Sequence, residues 1–278
     1  MSIISCSALT VNGNVRDNNE DNYYVNGKIK ESTDILTDRF SEDCERGQYL
    51  FGVCDGMGGE ELGELASLLA VQTLADYQAT DIRQTVADYI EKANRIICDE
   101  GSKNKSTGIG TTVVLLYIKD GIATTFNIGD SRAYLFRKNE LTQLSEDHTQ
   151  VQRLVKMGLL EKDAAKGHRD RNVLTQHLGI HPDEMIIEAH VSQKIAIEQN
   201  DIFLLCSDGL TDMISDEKIS GILAVEEINT TALANELIRS ALEGGGRDNA
   251  TVIVVKVNDY DALEYEVPLH EYRALPRI

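Results

Sequence analysis

Residues 49–59 read Tyr-Leu-Phe-Gly-Val-Cys-Asp-Gly-Met-Gly-Gly. The stretch 49–54 is a short apolar run, as expected of a strand buried on both faces, and Asp55-Gly56 is the turn that ends it. A strand end fixes the backbone and leaves the carboxylate at the rim of the sheet. The neighbouring glycine lets the chain turn sharply and lets a main-chain carbonyl approach whatever the carboxylate holds. Working outward, the same design recurs: Arg16-x-x-x-Glu20-Asp21, Gly129-Asp130-Ser131-Arg132, Ser207-Asp208-Gly209 and Gly246-Arg247-Asp248-Asn249. Each alone is a common turn or a solvated loop. Together they place acids beside strand ends at five separated points of the chain.

The periodicity between these points predicts the scaffold. Residues 3–11 and 23–26 read as strands, and the charged stretch 28–47 as a long loop or excursion. Two helices follow. Leu62, Leu65, Ala66 and Leu69 share one face of the first, and Ile82, Val86, Tyr89, Ile90, Ala93 and Ile97 keep helical spacing in the second, with Asp81 and Gln84 as its capping pair. Residues 112–118, 122–128 and 133–137 are strand-like, and Asp120-Gly121 is a hairpin signal. Residues 186–191, 202–206 and 251–257 also read as strands. Ser215 followed by Asp216 and Glu217 opens a short helix, and 231–242 is another. Helices in pairs between hairpin-linked strands argue for antiparallel sheets with helices packed outside, not for a parallel βαβ fold.

Composition narrows the function. The 278 residues carry 46 Asp and Glu against 27 Lys and Arg, a formal charge of −19. Such a surface repels nucleic acid and anionic lipid and suits a protein that gathers cations. The five cysteines, Cys6, Cys44, Cys54, Cys98 and Cys206, are scattered and odd in number, without a CxxC pair. They predict neither disulfides nor zinc, and a reducing cytoplasm as the setting. No stretch is long and apolar enough to predict a membrane span, and the N-terminus lacks the pattern of a secretory signal. Hard divalent cations such as Mn²⁺ and Mg²⁺ prefer carboxylate, carbonyl and water oxygens, which is the donor set these motifs offer.

The ordered set GNVRDNNEDN, FGVCDGMGG, TTVV…FNIGDSRAYLF, EDHT…RNVLTQHLG, FLLCSDGL and GGRDNATVIVV resembles the protein phosphatase 2C family, the metal-dependent Ser/Thr phosphatases, over about residues 5–257. The DGMGG form is similar to the bacterial branch. The resemblance implies an α+β fold, a four-layer α-β-β-α sandwich of two antiparallel sheets flanked by helices. It implies a catalytic domain over 1–258 with a small flap at about 148–178, and a C-terminal tail at 259–278. It also implies roles. Asp55 would bridge two metals, with the Gly56 carbonyl on one of them, and Asp208 and Asp248 would complete the other. Asp130 with Asp208 would hold a third ion, Glu20 and Asp21 would act through water, and Arg16 would clamp the substrate phosphate. Phosphorylated proteins are the implied substrates, a Ser/Thr kinase the implied counterpart, and a monomer the implied state.

The chemistry needs these groups. Phosphate monoesters hydrolyse very slowly unaided, and paired cations lower the pKa of a water held between them. A guanidinium fork matches phosphate geometry in a way that lysine does not. No GxSxG elbow surrounds Ser207 and no Cys-x5-Arg signature follows Cys206, so both read as structural. Met57 stands where animal members typically carry histidine. The proton donor to the leaving oxygen is then a water, with His148 and His168 as the other candidates. Gln176 stands where relatives often carry arginine. Two other functions use the same residues: a catalytically silent adaptor on this fold, and a phosphatase of a small metabolite or a stress-signalling regulator.

Overall fold

The structure, a computed structural model, describes residues 2–58, 62–75, 82–104, 108–165, 167–225 and 228–260. Two antiparallel sheets face each other. The first has the order β10 (Glu140–Gln143), β9 (Arg132–Arg137), β13 (Ile202–Cys206), β14 (Ala250–Tyr260), β1 (Ser2–Val11) and β4 (Thr37–Arg46). The second has the order β11 (His190–Val191), β8 (Ile122–Ile128), β7 (Val113–Lys119), β5 (Gln48–Met57), β2 (Asp21–Val25) and β3 (Lys28–Ile29). In that second sheet β12 (Ile195–Ala196) also pairs with β8, and β6 (Gly110–Thr111) with β5.

Side-chain alternation builds three apolar layers from these strands. Phe51 and Val53, Val114, Leu116 and Ile118, Phe203 and Leu205, and Ile253, Val255 and Val257 point between the sheets. From the first sheet Leu204, Cys206, Val252 and Val254 point outward against α6 (Asp216–Leu223) and α7 (Thr230–Glu243). From the second, Cys54, Val113, Leu115 and Tyr117 point outward against α1 (Gly63–Ala75) and α2 (Ile82–Lys103). Strands covered on both faces must be apolar at every position, which explains the unbroken runs in β5, β7, β13 and β14. Each fully buried Val, Leu or Phe contributes about 1.5–3 kcal/mol. The four-layer α-β-β-α sandwich anticipated above is therefore the observed architecture.

Local signals are met where they fall on described residues. Lys119 pairs with Ile122, and Asp120 (φ 49) and Gly121 (φ 74) both take the left-handed conformation of a tight two-residue hairpin turn. Ser215 Oγ accepts from Lys218 N–H, and Asn229 Oδ1 from Ala232 N–H, capping α6 and α7. Asp81, Gly59 and residues 261–278 lie outside the described residues. Strand β14 runs to Tyr260, two positions past the boundary expected at 258.

Four expectations need correction. Asp55-Gly56 is not a turn: β5 continues through it to Met57, and Gly56 and Met57 pair with Thr111 and Gly110 of β6. Residues 28–47 are not a loop: they form β3 and the ten-residue edge strand β4, which pairs with β1 along its whole length. Its inward positions are Asp38, Phe40, Glu42 and Cys44, and the two acids there hide the alternation. Asp38 accepts from Tyr23 Oη and Glu42 from Asn26 Nδ2, so these inward charges have partners. Residues 186–191 make a strand only at His190–Val191, because the preceding apolar side chains pack on the second sheet's outer layer without joining its ladder. The buried face of α1 is Gly63, Ala66, Ser67, Ala70, Val71 and Leu74, with Leu65 and Leu69 only half-buried. A small-residue face brings this helix close to β5, where a Cβ on Gly52 would lie 3.5 Å from Leu74 Cδ2.

Between β10 and β11 the chain leaves the sandwich as a flap containing α3 (Gln150–Lys156) and α4 (Lys162–Ala165). Bridges Thr149–Leu174 and Thr111–Leu178 hem its base.

Candidate active site

The acid-bearing strand ends meet at one end of the sandwich. Asp21 opens β2 and stands directly across from Asp55 of β5. Asp130 lies in the turn that carries the chain from β8 to β9, from one sheet to the other. Asp208 stands two residues past the end of β13 and opens the short helix α5 (Asp208–Thr211), and Asp248 lies two residues before β14. Residues from both sheets thus face one space.

Main-chain geometry holds each acid in place. Asp55 N–H donates to Thr112 Oγ1 (3.1 Å), and the Asp55 carbonyl accepts from Thr112 N–H and from Thr111 Oγ1 (2.9 Å each). Gly56 N–H donates to the Glu20 carbonyl (3.2 Å), and a Cβ on Gly56 would lie 2.1 Å from the Gly63 carbonyl oxygen, so α1 can approach only a glycine. A Cβ on Gly209 would lie 1.8 Å from the Asn249 carbonyl oxygen, which fixes how closely α5 sits against the start of β14. Asn249 ties the N-terminal acids to the C-terminal ones: its Oδ1 accepts from Glu20 N–H (2.8 Å) and its Nδ2 donates to the carbonyls of Asn18 (2.8 Å) and Asn12 (3.1 Å).

Asp21 is fully buried. Its Oδ2 accepts from Ser207 Oγ and Thr251 Oγ1 (2.7 Å each), whereas its Oδ1 is buried without a protein partner. The Ser207 hydroxyl is committed to this acid and to the Thr251 N–H (3.0 Å). Glu20 is half-buried and accepts from Asn18 Nδ2 (3.3 Å), which also reaches Glu64 (3.3 Å). Arg16 is half-exposed, and its Nη2 contacts Asp248 Oδ2 at 2.9 Å.

Mutual repulsion is written into the carboxyl groups. Burial, then the charges of Asp21, Asp208, Asp130 and Asp248, push Asp55 well above the usual carboxylate range. Burial, then Asp130, Asp212, Asp248 and Asp21, do the same to Asp208. Burial and Asp147 push Asp130 up to about 7, and burial pushes Asp21 up to about 6 against the hydrogen bonds of Thr251 and Ser207. Among the described residues no three Asp, Glu, His or Cys side chains stand as a ready-made cage for one ion. The acids share a space rather than a coordination sphere, and Asp248 is turned to Arg16. The donor set nonetheless fits hard divalent cations: it is all oxygen, it repels itself without positive charge, and Asp21 presents a buried oxygen with no partner.

Other candidates drop away from the chemistry. His148 is 9% exposed; its Nδ1 accepts from Gly129 N–H (3.3 Å), its own N–H donates to the Gly129 carbonyl (2.9 Å), and burial lowers its pKa. It shapes the Gly129–Asp130 turn. His168 Nδ1 accepts from Asp170 N–H within the flap (3.2 Å). Cys206 is buried and its thiol is pushed up to about 12, mainly by burial, so it is no thiolate nucleophile. Gln176 Oε1 accepts from Glu188 N–H (2.9 Å), fastening the flap's end to the chain leading into β11.

Asp212 and Asp147 escaped the sequence reading. Asp212 lies one helical turn after Asp208, and its Oδ2 accepts from Arg171 (3.2 Å) and Asn172 (2.8 Å) of the flap. Asp147 takes a bidentate grip from Arg132 (3.0 and 2.6 Å). A cavity of about 690 Å³ beside Asp130 and Asp208 is lined by both pairs. The i, i+4 spacing of Asp208 and Asp212 was the available signal, but a one-turn helix is too short to read from periodicity.

The comparisons with known proteins agree with this geometry. The family profile for protein phosphatase 2C matches residues 31–234. Protein phosphatase PhpP of Streptococcus pneumoniae is 35% identical over 269 residues, covering 92% of this chain and 98% of its own. The structure of the S. agalactiae serine/threonine phosphatase superposes with a TM-score of 0.78 at 30% identity, covering 92% of this chain and 100% of that one. The catalytic domain of the serine/threonine protein phosphatase PstP, in complex with two manganese ions, superposes with a TM-score of 0.75 at 31% identity, covering 93% and 100%. Two facing antiparallel sheets whose strand ends deliver aspartates to one rim define a metal-dependent serine/threonine protein phosphatase. The chain belongs to the protein phosphatase 2C family.

Proposed function

We propose that residues 1–258 form one catalytic unit, with the flap at 148–178 and a tail at 259–278, which hydrolyses phosphoserine and phosphothreonine in proteins. The observation that carries this reading is the meeting of Asp55, Asp130, Asp208 and Asp248, from both sheets, in one space beside Arg16. Asp55 and the Gly56 carbonyl, with Asp208 and Asp248, would hold two ions of Mn²⁺ or Mg²⁺; Asp130 and Asp208 would hold a third; Glu20 and Asp21 would act through water. When bound, the cations supply an activated water as nucleophile and offset the charge on the phosphoryl oxygens.

The protein's own groups do the rest. Arg16 exchanges its contact with Asp248 for the substrate phosphate, offering two parallel N–H donors. Thr112 and Asn249 hold Asp55 and Glu20 in place while charge redistributes. Met57 cannot donate a proton and His148 is engaged with Gly129, so water protonates the leaving oxygen. All four aspartates are present, so nothing favours the silent adaptor. Five unpaired cysteines support the cytoplasm as the setting, with a Ser/Thr kinase as the opposing activity.

Titrating Mn²⁺ into an assay on a phosphothreonine peptide tests this. Activity is expected to saturate with Mn²⁺ and vanish in EDTA, and Asp55→Asn and Asp208→Asn to lose at least about a hundred-fold in kcat. Full turnover in a chelator would sink the mechanism. Higher kcat/KM on sugar phosphates than on the phosphopeptide would redirect the substrate assignment to metabolites.

A further inference from the structure

Just beyond β3 lies a lysine that the reaction does not use. Lys30 is 1% exposed, and among the described residues it is the one lysine or arginine that is buried. A single side chain clamps its main chain on both sides: Asn22 Oδ1 accepts from Lys30 N–H and Asn22 Nδ2 donates to the Lys30 carbonyl (3.1 Å each). Its Nζ donates to the Asn19 carbonyl at 2.6 Å. Asn19 is itself anchored to Thr10 Oγ1 and the Leu36 carbonyl (2.9 Å each), and its Oδ1 accepts from Asp21 N–H (3.1 Å). The buried ammonium therefore sits against the main chain of the segment Asn19-Glu20-Asp21. The carboxylates whose charge bears on it are Asp21, Glu64 and Asp38.

An ammonium is buried at high cost unless opposite charge lies nearby, and a cluster of buried carboxylates has the complementary problem. We propose that Lys30 is the resident counter-charge behind Asp21, the buried acid that stands across from Asp55, a positioning residue that stabilises the metal-free fold and, by like-charge repulsion, weakens cation binding. The inference rests on the reading of the cluster as a cation site. It assigns Lys30 the task of setting how much free Mn²⁺ or Mg²⁺ is needed to load the enzyme. A purely structural lysine would also hold the Asn19 carbonyl, but its removal would loosen the acids and weaken cation binding.

Lys30→Met keeps the length of the side chain and removes the charge. Calorimetric titration with Mn²⁺ and thermal melts with and without Mn²⁺ are the readouts. The metal-free variant is expected to melt below wild type, to bind Mn²⁺ roughly ten-fold more tightly, and to gain more from saturating Mn²⁺ than wild type does. Equal or weaker Mn²⁺ binding by the folded variant overturns the proposal, and so does a variant that stays unfolded at saturating Mn²⁺. Asn22→Ala frees the Lys30 main chain and leaves its charge in place. It is expected to lower the melting temperature without tightening Mn²⁺ binding, and equal tightening would show that charge is not the cause. Wild-type protein that binds no Mn²⁺ would instead overturn the site assignment itself.

Discussion

Asp21 and Asp130 hold their protons to about 6 and about 7, far above an ordinary carboxyl. Their unfolded-state values lie near about 4, so between roughly pH 4 and 7 the native state binds protons that the unfolded chain has released. Their contribution to metal-free stability is fully present below pH 4 and is lost as pH rises through 6 and 7. Thermal melts in a chelator should therefore fall in midpoint from pH 5 to 8, Asp130→Asn should flatten the fall, and Mn²⁺ affinity should rise over the same range as cations displace protons. A midpoint that stays level or climbs would contradict this. Arg16 makes a second test. Arg16→Ala should lower kcat/KM on a phosphopeptide by about ten- to a hundred-fold, and Arg16→Lys should recover only part, because a point charge lacks the two-pronged fit. At this scale the sequence was most readable where an acid stood beside glycine at a strand end. Asp212 and Lys30 were not readable, because one acts across a single helical turn and the other through a carbonyl eleven residues away.

The contact between α5 and the start of β14 sets how Asp208 stands relative to Asp248. With a Cβ only 1.8 Å from the Asn249 carbonyl, Gly209→Ala must push these elements apart. It should cost about 3 kcal/mol in denaturant unfolding and weaken Mn²⁺ binding, whereas Gly221→Ala, with open space around it, should be close to neutral or stabilising. Similar effects of the two substitutions on Mn²⁺ binding would argue against this role for the contact. Strands with uniform apolar runs, such as β5 and β13, were legible because both of their faces are covered. Strand β4 was not, since Asp38 and Glu42 occupy inward positions and find partners only after folding. The face of α1 was read in part, with Ala66 buried as expected, but leucines mark hydrophobicity, and close packing on β5 selected Gly63, Ser67 and Ala70 over Leu65.

The whole molecule places its acids on two sheets, so neither sheet alone carries the site. Antiparallel order with helices outside followed from hairpin spacing and paired helices, and the four layers from the family resemblance. Strand order did not, because β14 enters between β13 and β1 and only long-range pairing decides that. Strand β1, near the beginning of the sequence, waits beside a gap that is filled by the last strand described. During synthesis, a ribosome-tethered chain that has not yet presented residues 250–260 lacks the central member of its first sheet and the anchor beside Asp248. A chain truncated after Asn249 should neither bind Mn²⁺ nor turn over a phosphopeptide, and activity from it would contradict this order of assembly. By this pairing, a nascent polypeptide would stay silent as a dephosphorylating enzyme until it had been made through β14.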